Sequence, residues 1–102
     1  MTTLEELLDL RKIREWGAAK PPNSTVGMCN SFTGCPVASY IRQTTRKRRV
    51  RAGYGEVHVT SEVVETPLDV RRLMMRIDDQ GSDEPCTAGE MVSYIDQILE
   101  EE

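Results

Sequence analysis

The stretch TGCPVASYIRQTTRKRRVR, residues 33–51, holds the side chains of this chain that are best suited to chemistry. It places Cys35 beside a proline and continues into six positive side chains. A cysteine at the start of a helix can act as a nucleophile, because the unpaired backbone N–H groups there favour the thiolate. The cations that follow can instead attract an anionic partner. The stretch therefore predicts either thiol chemistry or recognition of negative charge.

Catalysis by a thiol also requires a base, and His58 is the only histidine of the chain. His58 alternates with Val57 and Val59, which is typical of a half-buried strand and directs the imidazole away from the valine face. Cysteine also packs well as a small hydrophobic residue, so a capping role explains Cys35 without any reaction. We therefore predict no catalytic residue and no enzyme, with a thiol enzyme that depends on Cys35 as a remote alternative.

Three thiols and one imidazole are the side chains that a zinc site would draw on: Cys29, Cys35, Cys86 and His58. Structural zinc sites bring two cysteines from one knuckle with about two to four residues between them. Here five residues separate Cys29 from Cys35, and no second pair exists. We predict no metal and no cofactor. The odd number of cysteines also argues against a secreted disulfide scaffold, so a cytoplasmic location is expected.

The charges are segregated along the chain, although the net charge is only −4. Residues 16–55 hold seven bases and no acid, whereas residues 56–102 hold thirteen acids against three arginines. Such asymmetry predicts either partners of opposite charge or one half of the chain folding onto the other. No apolar run is longer than three residues, so no membrane span is predicted. The polar, acidic start predicts no secretory or transit signal.

Apolar residues at helical spacing predict four helices, and alternating apolar residues predict one short antiparallel β-hairpin. The hairpin is formed by residues 50–52 and 57–59, with Gly53 and Gly55 at its turn. At this length the chain supplies one core, so we predict a single small α+β domain over residues 1–102. So small a domain buries a limited share of its surface, which is compatible with a homo-oligomer.

Capping residues followed by apolar periodicity predict where each helix begins. The four predicted caps are Thr3, Cys35, Thr66 and Thr87. The first two helices are predicted over residues 4–16 and 36–46, with Gly17 ending the first and Gly81 ending the third. Glu90 completes a capping box with Thr87 at the start of the last helix.

Two segments fall outside these elements. Residues 18–34 contain two prolines and two glycines, and they are predicted to form a long loop. The acidic end, residues 100–102, is predicted to fray, because a helix C-terminus disfavours negative charge.

The cations are concentrated in the segment RQTTRKRRVR, residues 42–51, where the second helix leads into the first strand. They are Arg42, Arg46, Lys47, Arg48, Arg49 and Arg51. Arginine suits protein recognition, because its planar guanidinium binds a carboxylate through two parallel hydrogen bonds. Charge complementarity also steers association and fixes orientation. By elimination, we predict a non-enzymatic regulatory protein that binds a partner protein through this segment.

Nucleic acid is the alternative partner for the same segment. Each cation that neutralises a phosphate releases counterions, so such a cluster can bind without sequence preference. A helix, a hairpin and a further helix can also form a winged-helix-like reader. The negative net charge argues against this alternative, as does the shortage of aromatic residues for base stacking, since only Tyr40 and Tyr54 are near.

The segments CPVASYIRQ and TPLDVRRLMMRIDDQG, with the hairpin between them, resemble a group of small uncharacterised proteins of actinobacteria and their phages. That group has a Cys-Pro-x-Ala-x-Tyr-aliphatic-Arg helix start, a short strand pair and a proline-led helix that ends near Asp and Gly. The similarity covers about residues 35–81. It departs at Asp69 and Val70, where aromatic or apolar pairs are expected. The resemblance implies a small accessory protein, encoded by a phage and acting on a host component, and it carries over no catalytic residue.

Overall fold

The computed structural model describes residues 3–31, 33–80 and 84–102, and these form one α+β domain, as predicted. The described helices are α1 (Leu4–Leu7), α2 (Leu10–Ala18), α3 (Pro36–Thr45), α4 (Leu68–Asp78) and α5 (Ala88–Glu101). The described strands are β1 (Thr25–Met28), β2 (Val50–Ala52), β3 (Glu56–Val59), β4 (Glu62–Glu65) and β5 (Pro85–Thr87). Strands β1 and β5 form a two-stranded antiparallel sheet, and β2, β3 and β4 form a second antiparallel sheet in that order.

The predicted single helix over residues 4–16 is wrong, because the chain breaks at Leu8 and Asp9 and forms α1 and α2 instead. Asp9 is extended, and its carboxylate accepts the N–H of Arg11 at 2.8 Å, which starts α2. Both Leu8 and Leu10 are buried. In one straight helix these two side chains would point about 160° apart, so the break lets both reach the core.

Gly17 lies inside α2 and does not end the helix, which corrects the sequence prediction. The residue is buried against α5, and a Cβ at this position would lie 2.5 Å from Cε of Met91. The glycine therefore permits the close packing of α2 on α5 rather than a turn.

The predicted long loop over residues 18–34 is wrong in its centre, where Thr25–Met28 form β1. This strand pairs with β5, with Gly27 opposite Cys86 and Met28 opposite Pro85. The partner strand has only three residues, begins with a proline and lies far along the chain. The pairing consequently has no local sequence signal.

Helix α3, which was predicted as the second helix, and the hairpin of β2 and β3 agree with the sequence predictions. Cys35 caps α3, and its thiol accepts the N–H of Ala38 at 3.4 Å. In the hairpin, Val50 lies opposite Val59 and Arg51 lies opposite His58. The sheet also contains a third strand that was not predicted. This strand, β4, pairs with the edge of β3 that lies opposite β2.

The start of α4 differs from the prediction, because Thr66 is buried and does not cap the helix. Its hydroxyl instead donates to the carbonyl of Gly53 at 2.7 Å, which ties the hairpin turn to the start of α4. Pro67 occupies the capping position without a side-chain hydrogen bond. The helix ends at Asp78, and the predicted stop at Gly81 lies outside the described residues.

The last helix begins as predicted, with the capping box of Thr87 and Glu90 fully formed. The sequence predicts fraying from residue 100, and in the structure α5 continues through Glu101. The guanidinium of Arg76 on α4 donates to the carboxylate of Glu101, which holds the end of α5. Within the described ranges, every helix is too short or too polar to reach across a lipid bilayer.

Gly27 allows a close backbone contact between β1 and the start of α3. A Cβ at this position would lie 2.4 Å from the nitrogen of Pro36 and 2.6 Å from the carbonyl carbon of Cys35. Both of these are backbone atoms, so they cannot rotate away as a side chain would. Strand β1 and the start of α3 therefore require glycine at this position.

We expect Gly27→Ala to lower the free energy of unfolding by about 3 kcal/mol, because the added methyl group overpacks a rigid backbone contact. Gly55→Ala is the matched control, since a Cβ there meets nothing within 4 Å, and it should change stability by less than about 0.5 kcal/mol. Urea unfolding followed by circular dichroism measures both values. Equal losses in the two variants would contradict the packing of β1 on α3.

Candidate anion-binding groove

The basic segment lies where α3 turns into β2. Arg46 ends the helix in the left-handed conformation, with φ 62° and ψ 20°, and its N–H donates to the carbonyl of Arg42 at 2.7 Å. The N–H of Lys47 donates to the hydroxyl of Thr45 at 3.2 Å. The chain then becomes buried again at Val50, the first residue of β2. This short connection carries four consecutive cations to the surface.

A surface groove of about 310 Å³ lies between this connection, the residues before α3 and the outer face of the second sheet. Its lining consists of Thr33, Arg42, Arg48, Arg49, Val50, Arg51, His58 and Thr60. Every polar side chain in that lining carries a hydrogen-bond donor of guanidinium, imidazole or hydroxyl type. Among the residues that the structure describes, no carboxylate lines the groove. We call this feature the basic groove.

Strand alternation explains how β2 and β3 contribute to the basic groove. Val50 and Val59 are buried as a pair, whereas Arg51 and His58, the next pair, are exposed on the opposite face. The predicted outward direction of His58 is therefore confirmed. Beyond β3, the N–H of Thr60 donates to the carbonyl of Arg49 at 2.8 Å. That bond fixes the rim of the groove against the sheet.

Five of the six cations in the basic segment form no ion pair with a carboxylate of the described residues. Across residues 3–31, 33–80 and 84–102, the ion pairs link Arg14 to Asp96 at 2.6 Å, Arg76 to Glu101, and His58 to Glu56 at 3.8 Å. None of them involves the following cations of the segment: Arg42, Arg46, Lys47, Arg48 and Arg49. Arg42 is half-buried and the other four are exposed. Their charge is therefore available to a partner.

The structure divides the six residues predicted to bind. Four of them, Arg42, Arg48, Arg49 and Arg51, line the basic groove. Arg46 does not line the groove, and Lys47 faces a different depression beside α1.

Thr33, His58 and Thr60 also line the groove, although they are not among the six residues predicted to bind. The period-two alternation of residues 57–59 signalled that the imidazole points outward. No sequence pattern predicts the strand register that places His58 opposite Arg51.

The three thiols are free and buried, and their environment does not favour thiolates. Burial raises the pKa of Cys35, and this effect outweighs the N–H groups of Ala38 and Val37, which lower it. The lowered pKa predicted for a cysteine at a helix start is therefore wrong here. Burial likewise raises the pKa of Cys86 to about 12. Among the described residues, no group of three or more histidine, cysteine or acidic side chains could hold a metal ion.

A second, smaller cavity of about 120 Å³ lies on the other side of the α3 start, against α4 and the hairpin turn. Its polar groups satisfy one another: the hydroxyl of Tyr54 donates to the carboxylate of Asp78, which also accepts the N–H of Asn30 at 2.7 Å. Burial and this hydrogen bond raise the pKa of Tyr54 to about 12. Because Tyr54 and Asn30 already donate to Asp78, these polar groups do not indicate a particular ligand for the cavity.

Comparison with protein-family models, with curated proteins and with solved structures finds no match for this chain. The chemistry of the basic groove and of the surface around it is therefore the basis for the functional proposal.

Burial of Cys86 predicts a loss of stability at high pH. Its pKa rises from an ordinary value of 9.0 to about 12 in the folded protein, so the folded state keeps a proton that the unfolded state releases above pH 9. The stabilisation is complete below pH 9 and is lost as the pH rises towards 12. Cys86→Ala should remove this contribution and make the slope of unfolding free energy against pH shallower by about 1 kcal/mol per pH unit between pH 9.5 and 10.5. Urea unfolding at a series of pH values measures the slope, and equal slopes in both proteins would contradict the burial of this thiol.

Proposed function

We propose that this protein is a non-enzymatic binding protein that docks on an acidic surface of a partner protein through residues 42–51. The observation that carries the proposal is the lack of carboxylate partners, within the described chain, for five cations of this segment: Arg42, Arg46, Lys47, Arg48 and Arg49. Like charges held close together repel one another, and an acidic partner would replace that repulsion with attraction.

The dipole of α3 accounts for only part of this charge. A helix C-terminus favours nearby cations, but the effect falls off within the last turn. Arg42 and Arg46 lie in or next to that turn. Lys47, Arg48 and Arg49 lie beyond it on the connection to β2, so the stability of the helix does not explain them.

Arginine is also the cation best suited to selective contacts with acidic side chains. Its guanidinium is planar and always charged, and it presents donors in a fixed fork that matches a carboxylate. Five of the six cations in residues 42–51 are arginines. This composition favours directional hydrogen bonds to carboxylates over non-directional charge attraction.

Nucleic acid remains the alternative partner, and the surroundings of the groove favour it less. Tyr40 is buried, with its hydroxyl bonded to the carbonyl of Leu7, and Tyr54 lies at the other cavity, so neither supplies a stacking surface at the groove. Glu56 and Glu65 face each other on β3 and β4. A continuous phosphate backbone that crossed the sheet would approach these carboxylates.

We further propose that the protein acts in the cytoplasm, in keeping with its free and buried thiols. The resemblance to small proteins of actinobacteria and their phages suggests an accessory role, with a host protein as the partner.

Two triple variants with the same change in net charge test the proposal. Lys47, Arg48 and Arg49 changed to Gln alter the basic segment, whereas Arg11, Lys12 and Arg72 changed to Gln remove three exposed cations from α2 and α4. Immobilised wild-type protein and the control variant should capture the same proteins from a bacterial lysate, and the segment variant should lose them. Raising the salt from about 0.05 to 0.5 M should release the captured proteins, because the screening length falls several-fold.

Circular dichroism should show that both triple variants keep the fold, since all six side chains are exposed. Equal loss of capture in the two variants would contradict docking through residues 42–51. Capture that nuclease treatment removes would support the nucleic-acid alternative instead.

A further inference from the structure

We infer that the basic groove is a receptor for a phosphoryl group on a side chain of the partner protein. This inference rests on the proposed function, because it specifies which acidic group of the partner enters the groove. It goes beyond general charge attraction, because it assigns a particular ligand chemistry to one concave part of the basic segment.

The donors of the groove match a phosphoryl group in number and charge. The guanidinium groups of Arg42, Arg48 and Arg49 form no ion pair with a carboxylate of the described residues, and the lining is completed by Arg51, His58, Thr33 and Thr60. A phosphoryl group on serine or threonine carries a charge of about −1.5 to −2 at neutral pH and has three strong acceptor oxygens. A carboxylate has one charge and two oxygens, so it would leave more of these donors unused.

The donors also converge from several elements, which favours a compact ligand. Thr33 precedes α3, Arg42 belongs to α3, Arg49 lies on the connection, and Arg51 and His58 lie on β2 and β3. A group seated in the groove would therefore be contacted from several sides.

The backbone of the groove is set before any ligand arrives. The N–H of Val50 donates to the carbonyl of Arg48 at 3.1 Å, and the N–H of Thr60 donates to the carbonyl of Arg49 at 2.8 Å. Val50 itself is buried beneath the groove and anchors the strand. Because the backbone is already fixed, only the side chains have to be ordered on binding, which lowers the entropic cost.

Acidic neighbours limit how far an anionic ligand can extend. Glu56 lies 3.8 Å from Nε2 of His58, and Glu62 and Glu65 are exposed on β4. A phosphoryl group held by the arginines brings no further phosphates towards these carboxylates, whereas a nucleic-acid strand continues past the groove with more of them. The observations therefore favour a phosphorylated protein over a nucleic acid as the ligand.

Three fluorescein-labelled, glycine- and serine-rich peptides that differ at one central position test the inference. That position is phosphoserine, glutamate or serine, and binding is measured by fluorescence polarisation at about 0.05 M salt. We expect the phosphoserine peptide to bind at least about tenfold more tightly than the glutamate peptide, because charge and acceptor number both increase. We expect no measurable binding of the serine peptide.

A matched pair of variants assigns the binding to the groove. Arg48→Gln removes a guanidinium that lines the groove, and Arg72→Gln removes an exposed guanidinium on α4, outside residues 42–51. Arg48→Gln should weaken binding of the phosphoserine peptide by about tenfold, whereas Arg72→Gln should weaken it by less than about twofold. Equal weakening by both variants would overturn the assignment to the groove.

The remaining outcomes separate this inference from the proposed function. Equal affinity for the phosphoserine and glutamate peptides, or no binding of either, would overturn the phosphoryl receptor, while lysate capture that depends on residues 47–49 would leave docking on an acidic protein intact. Capture that survives phosphatase treatment of the lysate would likewise overturn only the phosphoryl receptor. Tighter binding of a labelled single-stranded oligonucleotide than of the phosphoserine peptide would overturn both.

Discussion

The close approach of β1 to the start of α3 is the constraint on which the groove depends. Gly27 allows backbone to meet backbone there, and the N–H of Met28 donates to the carbonyl of Gly34 at 2.8 Å. With its start held in this way, α3 is fixed further along by Tyr40, whose hydroxyl donates to the carbonyl of Leu7 at 2.7 Å. The rings of Tyr40 and Trp16 also pack edge to face, with their centroids 5.6 Å apart. The end of α3, and with it the position of the basic segment, follows from these contacts.

The arrangement of the helices explains why the carboxylates of α5 pair with arginines of other helices and not with the basic segment. The acidic helix α5 packs mainly against α2 and α4, and its carboxylates meet the arginines of those two helices. Helix α3 packs mainly against β1 and β2, so its C-terminal end faces the second sheet instead. The topology thus separates the basic connection from the acids that could have paired with it. The carboxylates of Glu56, Glu62 and Glu65, by contrast, lie on the same sheet as Arg51 and His58.

The cysteines show how burial determines the role of a reactive side chain. At the start of α3 the backbone N–H groups favour a thiolate, yet desolvation of Cys35 has the larger effect and keeps the thiol neutral. The same thiol accepts the N–H of Ala38, so it serves as a helix cap. Residues 33–51 allow two interpretations, thiol chemistry and recognition of negative charge. In the structure they contain a cysteine that caps a helix and, a few residues later, a set of exposed cations.

By itself the sequence determined the features that depend on neighbouring residues: the α+β class, the cap and extent of α3, the hairpin, the capping box of α5 and the location of the basic segment. These signals are local, because capping, helical periodicity and strand alternation act over a few positions. Only the tertiary structure decided that Leu8 breaks the first helix, that β1 pairs with β5, and that His58 joins the arginines in one groove. Each of those outcomes depends on contacts between residues far apart in the chain, and composition and spacing do not encode such contacts locally.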